Sequence, residues 1–179
     1  MAVAVLFAGA LGRRLGGWRR EYDHIGADRQ PPHVMLSSPF VAEPPFLPLE
    51  RHLWRVCHGF PRLTLELLAL RSDRSSGRLI YVEIGSGADA LAALRDALHT
   101  GPLARLREEP APALRVVIAE PESDAALESA YRQLLALHEP ASYEVDRVWL
   151  MAQQPDGSWY TRDCFTLDAA YGVRAAGGA

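Results

Sequence analysis

Apolar positions along the chain follow two rhythms, one of period two and one near 3.6, and their alternation predicts the elements. Residues 2–8 (AVAVLFA) read as a buried strand, and residues 11–22 as a helix with Leu11, Leu15 and Trp18 on one face. Pro31 and Pro32 force an extended entry into a second strand at 33–38 (HVMLSS). Leu49, Leu53 and Val56 mark a helix at 48–58, and a strand follows at 62–70 (RLTLELLAL). Arg71 to Arg78 (RSDRSSGR) is a polar turn or linker.

A second series follows in the same order. Residues 79–84 (LIYVEI) form a strand, 88–99 a helix closed by Gly101-Pro102, and 114–119 (LRVVIA) a strand. Residues 124–138 form an amphipathic helix, with Leu127, Tyr131, Leu134, Leu135 and His138 on one face and Pro140 beyond its end. Two last strands, 143–152 and 158–167, flank the turn Pro155-Asp156-Gly157, and the tail from Asp168 is expected to be disordered. The two series match with Val3 opposite Ile80, His33 opposite Arg115 and Phe60 opposite Tyr143. Such a duplication predicts two α/β lobes, about 1–71 and 78–167, within one bilobal domain over 1–167, their strands free to intertwine. Ligands bind at such junctions.

Composition narrows the function. The chain has 179 residues, with 19 Lys+Arg against 22 Asp+Glu and a net charge of −3, so a constitutive coat for duplex DNA is excluded. All the fixed positive charges are arginines, which suits phosphate recognition but also matches the codon bias of a GC-rich genome. No apolar run approaches the length of a membrane span. Arg13, Arg14, Arg19 and Arg20 follow the apolar start instead of preceding it, so the N-terminus reads as a strand and a cytoplasmic location is expected. Cys57 and Cys164 form no CxxC pair, and His52, Cys57 and His58 lack a fourth metal ligand, so neither a metal nor a cofactor is expected.

Among candidate motifs, Gly85-Ser86-Gly87 lacks the third glycine and the Lys-Ser/Thr pair of a phosphate loop and reads as a helix N-cap turn. The segment Pro31-Pro32-His33-Val34-Met35-Leu36-Ser37 carries more chemistry. Alternation puts His33, Met35 and Ser37 on one face, with Val34 and Leu36 toward the core. In the second series Arg115, Val117 and Ala119 share the corresponding face.

With PPHVML and Pro39-Phe40, and with a closing strand pair made of the segment from Tyr143 to Leu150 and of Gly157-Ser158-Trp159-Tyr160 and Phe165-Thr166-Leu167, the chain resembles the 2H phosphoesterases, which include 2′-5′ RNA ligases and cyclic phosphodiesterases. The resemblance implies an α+β fold of two duplicated lobes, with antiparallel sheets around a central cleft. It also implies two His-x-Thr/Ser motifs meeting there, one histidine acting as base and the other as acid. His33 fits the first histidine, but Met35 replaces the first hydroxyl, Arg115 the second histidine and Val117 the second hydroxyl. Arginine stays protonated and cannot shuttle a proton, so phosphate binding should outlast turnover. Ser37 is a candidate substitute hydroxyl. Three readings follow: a degenerate protein binding a phosphorylated nucleotide or RNA end between His33 and Arg115; an active enzyme pairing His33 with His24 or Tyr160; and a non-catalytic interaction module.

Overall fold

The structure, a computed structural model, describes residues 1–75 and 77–168, apart from the side chains of His24 and Ile25. The expected tail lies almost wholly outside the described residues. The strands are β1 (Ala2–Leu6), β2 (His33–Met35), β3 (Leu63–Asp73), β4 (Leu79–Ile84), β5 (Arg115–Ala119), β6 (Ala141–Val145), β7 (Arg147–Gln153) and β8 (Trp159–Thr166). The helices are α1 (Gly9–Tyr22), α2 (His24–Arg29), α3 (Leu47–His58), α4 (Ala88–Leu98) and α5 (Asp124–Leu137), with a 3₁₀ turn at Gly101–Leu106. Two four-stranded sheets result, in the orders β2-β1-β7-β8 and β5-β4-β3-β6, with every pairing antiparallel. This is the expected two-lobed α+β architecture.

Sheet positions extend the duplication. β1 corresponds to β4 and β2 to β5, as the pattern predicts. The third match differs, because β3 occupies the place in its sheet that β7 occupies in the other, and β6 the place of β8. The first half thus sends β3 into the sheet of β4 and β5, and the second half sends β7 and β8 into the sheet of β1 and β2.

That exchange breaks the strand expected at 143–152. Val145 and Val148 are both fully buried three residues apart, an odd spacing that a single strand with period two cannot satisfy. The chain changes sheets at Asp146, whose carbonyl accepts the N–H of Leu167 at 2.8 Å. The second expected strand stops at Met35 instead of Ser38, because the amides of Leu36 and Ser37 both turn to the carbonyl of Val3, at 2.8 and 3.1 Å. The polar linker is shorter than expected, since Arg71, Ser72 and Asp73 pair with Tyr81, Ile80 and Leu79 and lengthen β3. α2 and the 3₁₀ turn carry too few apolar residues to be read from periodicity.

The buried apolar side chains of both lobes form one continuous cluster, including Val3, Leu53, Leu65, Ile80, Leu94, Ile118, Leu134 and Leu150. Burying a leucine or isoleucine contributes about 1.5–3 kcal/mol, so the cluster spanning both lobes is the main force joining them. β2 packs beside β5, which brings the two duplicated motif strands together.

Candidate functional site at the junction of the two lobes

His33 opens β2, and its imidazole Nδ1–H donates to the carbonyl of Pro31 at 2.8 Å. Nε2 is then the bare ring nitrogen whenever the ring is neutral. Burial pushes the His33 pKa down and the nearby Arg19 charge adds to that, against the bond to Pro31, which raises it. The neutral ring is therefore favoured.

Two cavities meet at His33. The larger, of about 1050 Å³, is lined by Arg19, Arg29, His33, Val117 and Glu120, among others. The smaller, of about 140 Å³, is lined by His33, Met35, Arg95, His99, Arg115 and Val117, together with Ser37, Ser38 and Glu108. His33 and Val117 border both. All five residues singled out from the sequence, His33, Met35, Ser37, Arg115 and Val117, line the smaller cavity.

Their surroundings differ. Arg115 Nη1 lies 3.5 Å from Asp73 Oδ2, and its guanidinium sits 4.8 Å from the centre of the Tyr81 ring. The arginine is thereby oriented, with part of its charge balanced. Ser37 Oγ is buried and accepts the N–H of Val3 at 2.9 Å. Because β2 ends at Met35, Ser37 does not share a strand face with His33, correcting the expected alternation. Tyr160 is exposed on β8, three strands from β2 across the sheet, or about 14 Å at 4.8 Å per strand. The side chain of His24 lies outside the described residues. The three residues weighed as metal ligands are otherwise engaged: His52 Nε2–H donates to Leu98 at 2.9 Å, burial pushes the Cys57 thiol up to about 12, and His58 lies 3.9 Å from Asp168.

Three residues at this junction were not singled out from the sequence. Arg19 is only 4% exposed, donates through Nη1 to the carbonyl of Val117 at 2.8 Å, and places Nη2 3.4 Å from Asp23. Its position four residues after Leu15, on the inward stripe of α1, was the available signal. Arg95 and His99 lie four residues apart at the end of α4, Arg95 four after the buried Leu91. Arg95 Nη1 donates to the carbonyl of Pro112 at 2.6 Å, and His99 is 8% exposed.

Two antiparallel sheets that exchange strands and meet along their duplicated edges, with a histidine and arginines at the seam, define a bilobal α+β protein with a candidate site at that seam. The chain belongs to the 2′-5′ RNA ligase superfamily, the 2H phosphoesterases, whose profile it matches over residues 7–157. A protein of Shouchella clausii described as a putative phosphoesterase is 28% identical over 155 residues, covering 85% of this chain and 88% of the relative. One from Geobacillus thermodenitrificans with the same description is 27% identical over 151 residues, covering 84% and 86%. In fold, the chain is similar to TT0787 of Thermus thermophilus (TM-score 0.64, 14% identity, 96% of this chain and 98% of that one). It is also similar to E. coli LigT solved with 3′-AMP (TM-score 0.62, 18% identity, 93% and 96%).

Proposed function

We propose that this protein binds a phosphorylated nucleotide or an RNA end at the junction of its lobes, with the phosphate between His33 and Arg115. The observation that carries the reading is that these two residues, one from each duplicated motif, line the same cavity. Arg95 adds a second guanidinium to its wall, and Glu108 is the one carboxylate among the lining residues. A planar guanidinium held over Tyr81 and beside Asp73 is suited to a two-pronged grip on phosphate oxygens. The structures of LigT with 3′-AMP, NADP+ and ATP support nucleotides as the ligand class.

Calorimetric titration with 3′-AMP, 2′,3′-cyclic AMP and a short RNA bearing a terminal cyclic phosphate tests this. Charge-assisted hydrogen bonds contribute about 1.5–3 kcal/mol, so Arg115→Ala should weaken binding by tenfold or more, and His33→Ala should weaken it most at acid pH, where Nε2 is protonated and can donate to a phosphate oxygen. Binding that is unchanged in both variants, or missing from the unmodified protein, defeats the proposal.

A further inference from the structure

Away from the seam, α3 presents two faces of different kinds. Leu49, His52, Leu53 and Cys57, at the i, i+3, i+4, i+8 spacing of one helical face, are buried in the core. Leu47, Glu50, Arg51 and Trp54 fall at i, i+3, i+4 and i+7 and form a second face turned away from it. Leu47 and Trp54 are 50% and 56% exposed, so two large apolar side chains on one face forgo the burial that drives association as well as folding. With Arg55, and with Asp163 and Phe165 of β8, these residues line an open groove of about 440 Å³, and Phe165 is its buried floor.

The face is ordered in advance. The Trp54 ring stacks on His58 with 4.4 Å between centroids, and Arg162 Nη2 holds Glu50 Oε1 at 3.4 Å while its guanidinium lies 4.5 Å from the centre of the Phe46 ring. Arg51 and Arg55 have no ion-pair partner among the described residues. The lining charges choose between occupants. Two are acids, Glu50 and Asp163, and two are arginines, Arg51 and Arg55, so a polyanion or an anionic bilayer would meet repulsion along with attraction. A surface whose charges cancel can instead complement itself, provided that their order reverses under a twofold axis. Along α3 the order is apolar, acid, base, apolar, and read backwards it is apolar, base, acid, apolar.

We infer that this face is a dimer interface, pairing α3 with α3 of a second copy of the chain, antiparallel, about a twofold axis between Glu50 and Arg51. That axis sets Leu47 against the partner's Trp54 and Glu50 against the partner's Arg51, and the symmetry makes each contact twice. Helices packed through such faces lie about 8–10 Å apart, which glutamate and arginine side chains can bridge. The four residues span about 10.5 Å of helix, at roughly 1.5 Å per residue. An interface built on so short a face is at the small end of specific interfaces, and the dimer should be reversible, with a Kd in the micromolar range. None of the residues lining the cavity of about 140 Å³ belongs to α3, so the inference stands independently of the binding reading.

Sedimentation equilibrium of the full chain over about 1–500 µM tests the interface. The weight-average mass should rise from the 19.7 kDa of one chain toward twice that value. Trp54→Ser should weaken association by about tenfold or more, with the circular dichroism spectrum unchanged because the side chain is exposed. Glu50→Arg and Arg51→Glu each set like charges across the axis twice and should have an effect of similar size. The double variant Glu50→Arg/Arg51→Glu restores opposite charges and should recover most of the association, a result that non-specific apolar clustering does not give. If Glu50→Arg does not fold beside Arg162, Arg51→Glu and Trp54→Ser decide, and association unchanged in either overturns the inference. A chain that stays at 19.7 kDa throughout, as expected if the face serves a different macromolecule, also overturns it. So does a double variant that associates no better than the weaker single variant.

Discussion

At the scale of single residues, the junction is a set of buried charges held apart by geometry. Arg19 is desolvated and remains charged because Asp23 and the Val117 carbonyl share its guanidinium. Its charge in turn discourages protonation of His33. The consequence for stability has a definite sign. With the His33 pKa lowered on folding below its ordinary 6.5, the unfolded chain takes up the proton first as pH falls. The stabilisation is complete above 6.5 and is lost as pH falls toward the folded-state pKa, and His99, also lowered, acts in the same direction. Asp146, held below the usual carboxylate range mainly by its hydrogen bond from Arg147, contributes only at lower pH. Urea midpoints should therefore fall between about pH 7 and pH 5, and His33→Gln should flatten the slope. A profile with equal slope in both proteins would show that His33 titrates as it does in the unfolded chain.

At the scale of elements, one glycine fixes the helix that carries Arg95 and His99. Gly87 caps α4 with φ at +88°, and a Cβ there would stand 2.2 Å from the carbonyl oxygen of Thr64. The turn is also tied to β3, Gly85 N–H donating to Glu66 and Glu66 N–H to Ser86, which makes it the helix cap that its spacing suggests. Left-handed backbone costs a residue with a side chain about 1–3 kcal/mol, and the clash with backbone adds to it. Gly87→Ala should lose at least that much by denaturant unfolding. Gly17→Ala, in the interior of α1 with nothing within 4 Å of an added Cβ, should be neutral or gain about 0.5–1 kcal/mol. Equal effects at the two positions would refute the argument.

The same contrast shows which elements could be read in advance. α1, α3, α4 and α5 have a repeating apolar face, so their sequence announces them, and Val34 and Leu36 placed His33 on β2 in the same way. The end of β2 and the break at Asp146 depend instead on tertiary hydrogen bonds, from Leu36 and Ser37 to Val3 and from Leu167 to Asp146. Arg95 and His99 belong to a helix whose regular pattern marks its core face and says nothing about the cavity at its end. A strand motif points to its own side chains, whereas a helix terminus enters a site through packing alone.

At the scale of the molecule, strand exchange decides whether the lobes are separable. β7 and β8 complete the sheet begun by β1 and β2, and β3 lies between β4 and β6, so neither sheet is built from one continuous stretch of chain. The seam is tied by polar contacts as well: Tyr143 OH donates to the Leu6 carbonyl at 3.0 Å and accepts the N–H of Ala8 at 3.1 Å, while its ring lies 4.8 Å from that of Phe7. With the apolar cluster running through both lobes, opening one sheet strips partners from the other. The expected result is one cooperative transition in calorimetry, with calorimetric and van't Hoff enthalpies equal. A nucleotide bound at the junction should raise the midpoint of the whole transition, since it binds only when both lobes are folded. Two resolved transitions, or a ligand that shifts only one of them, would mean that the lobes fold independently and that the cavity belongs to one of them alone.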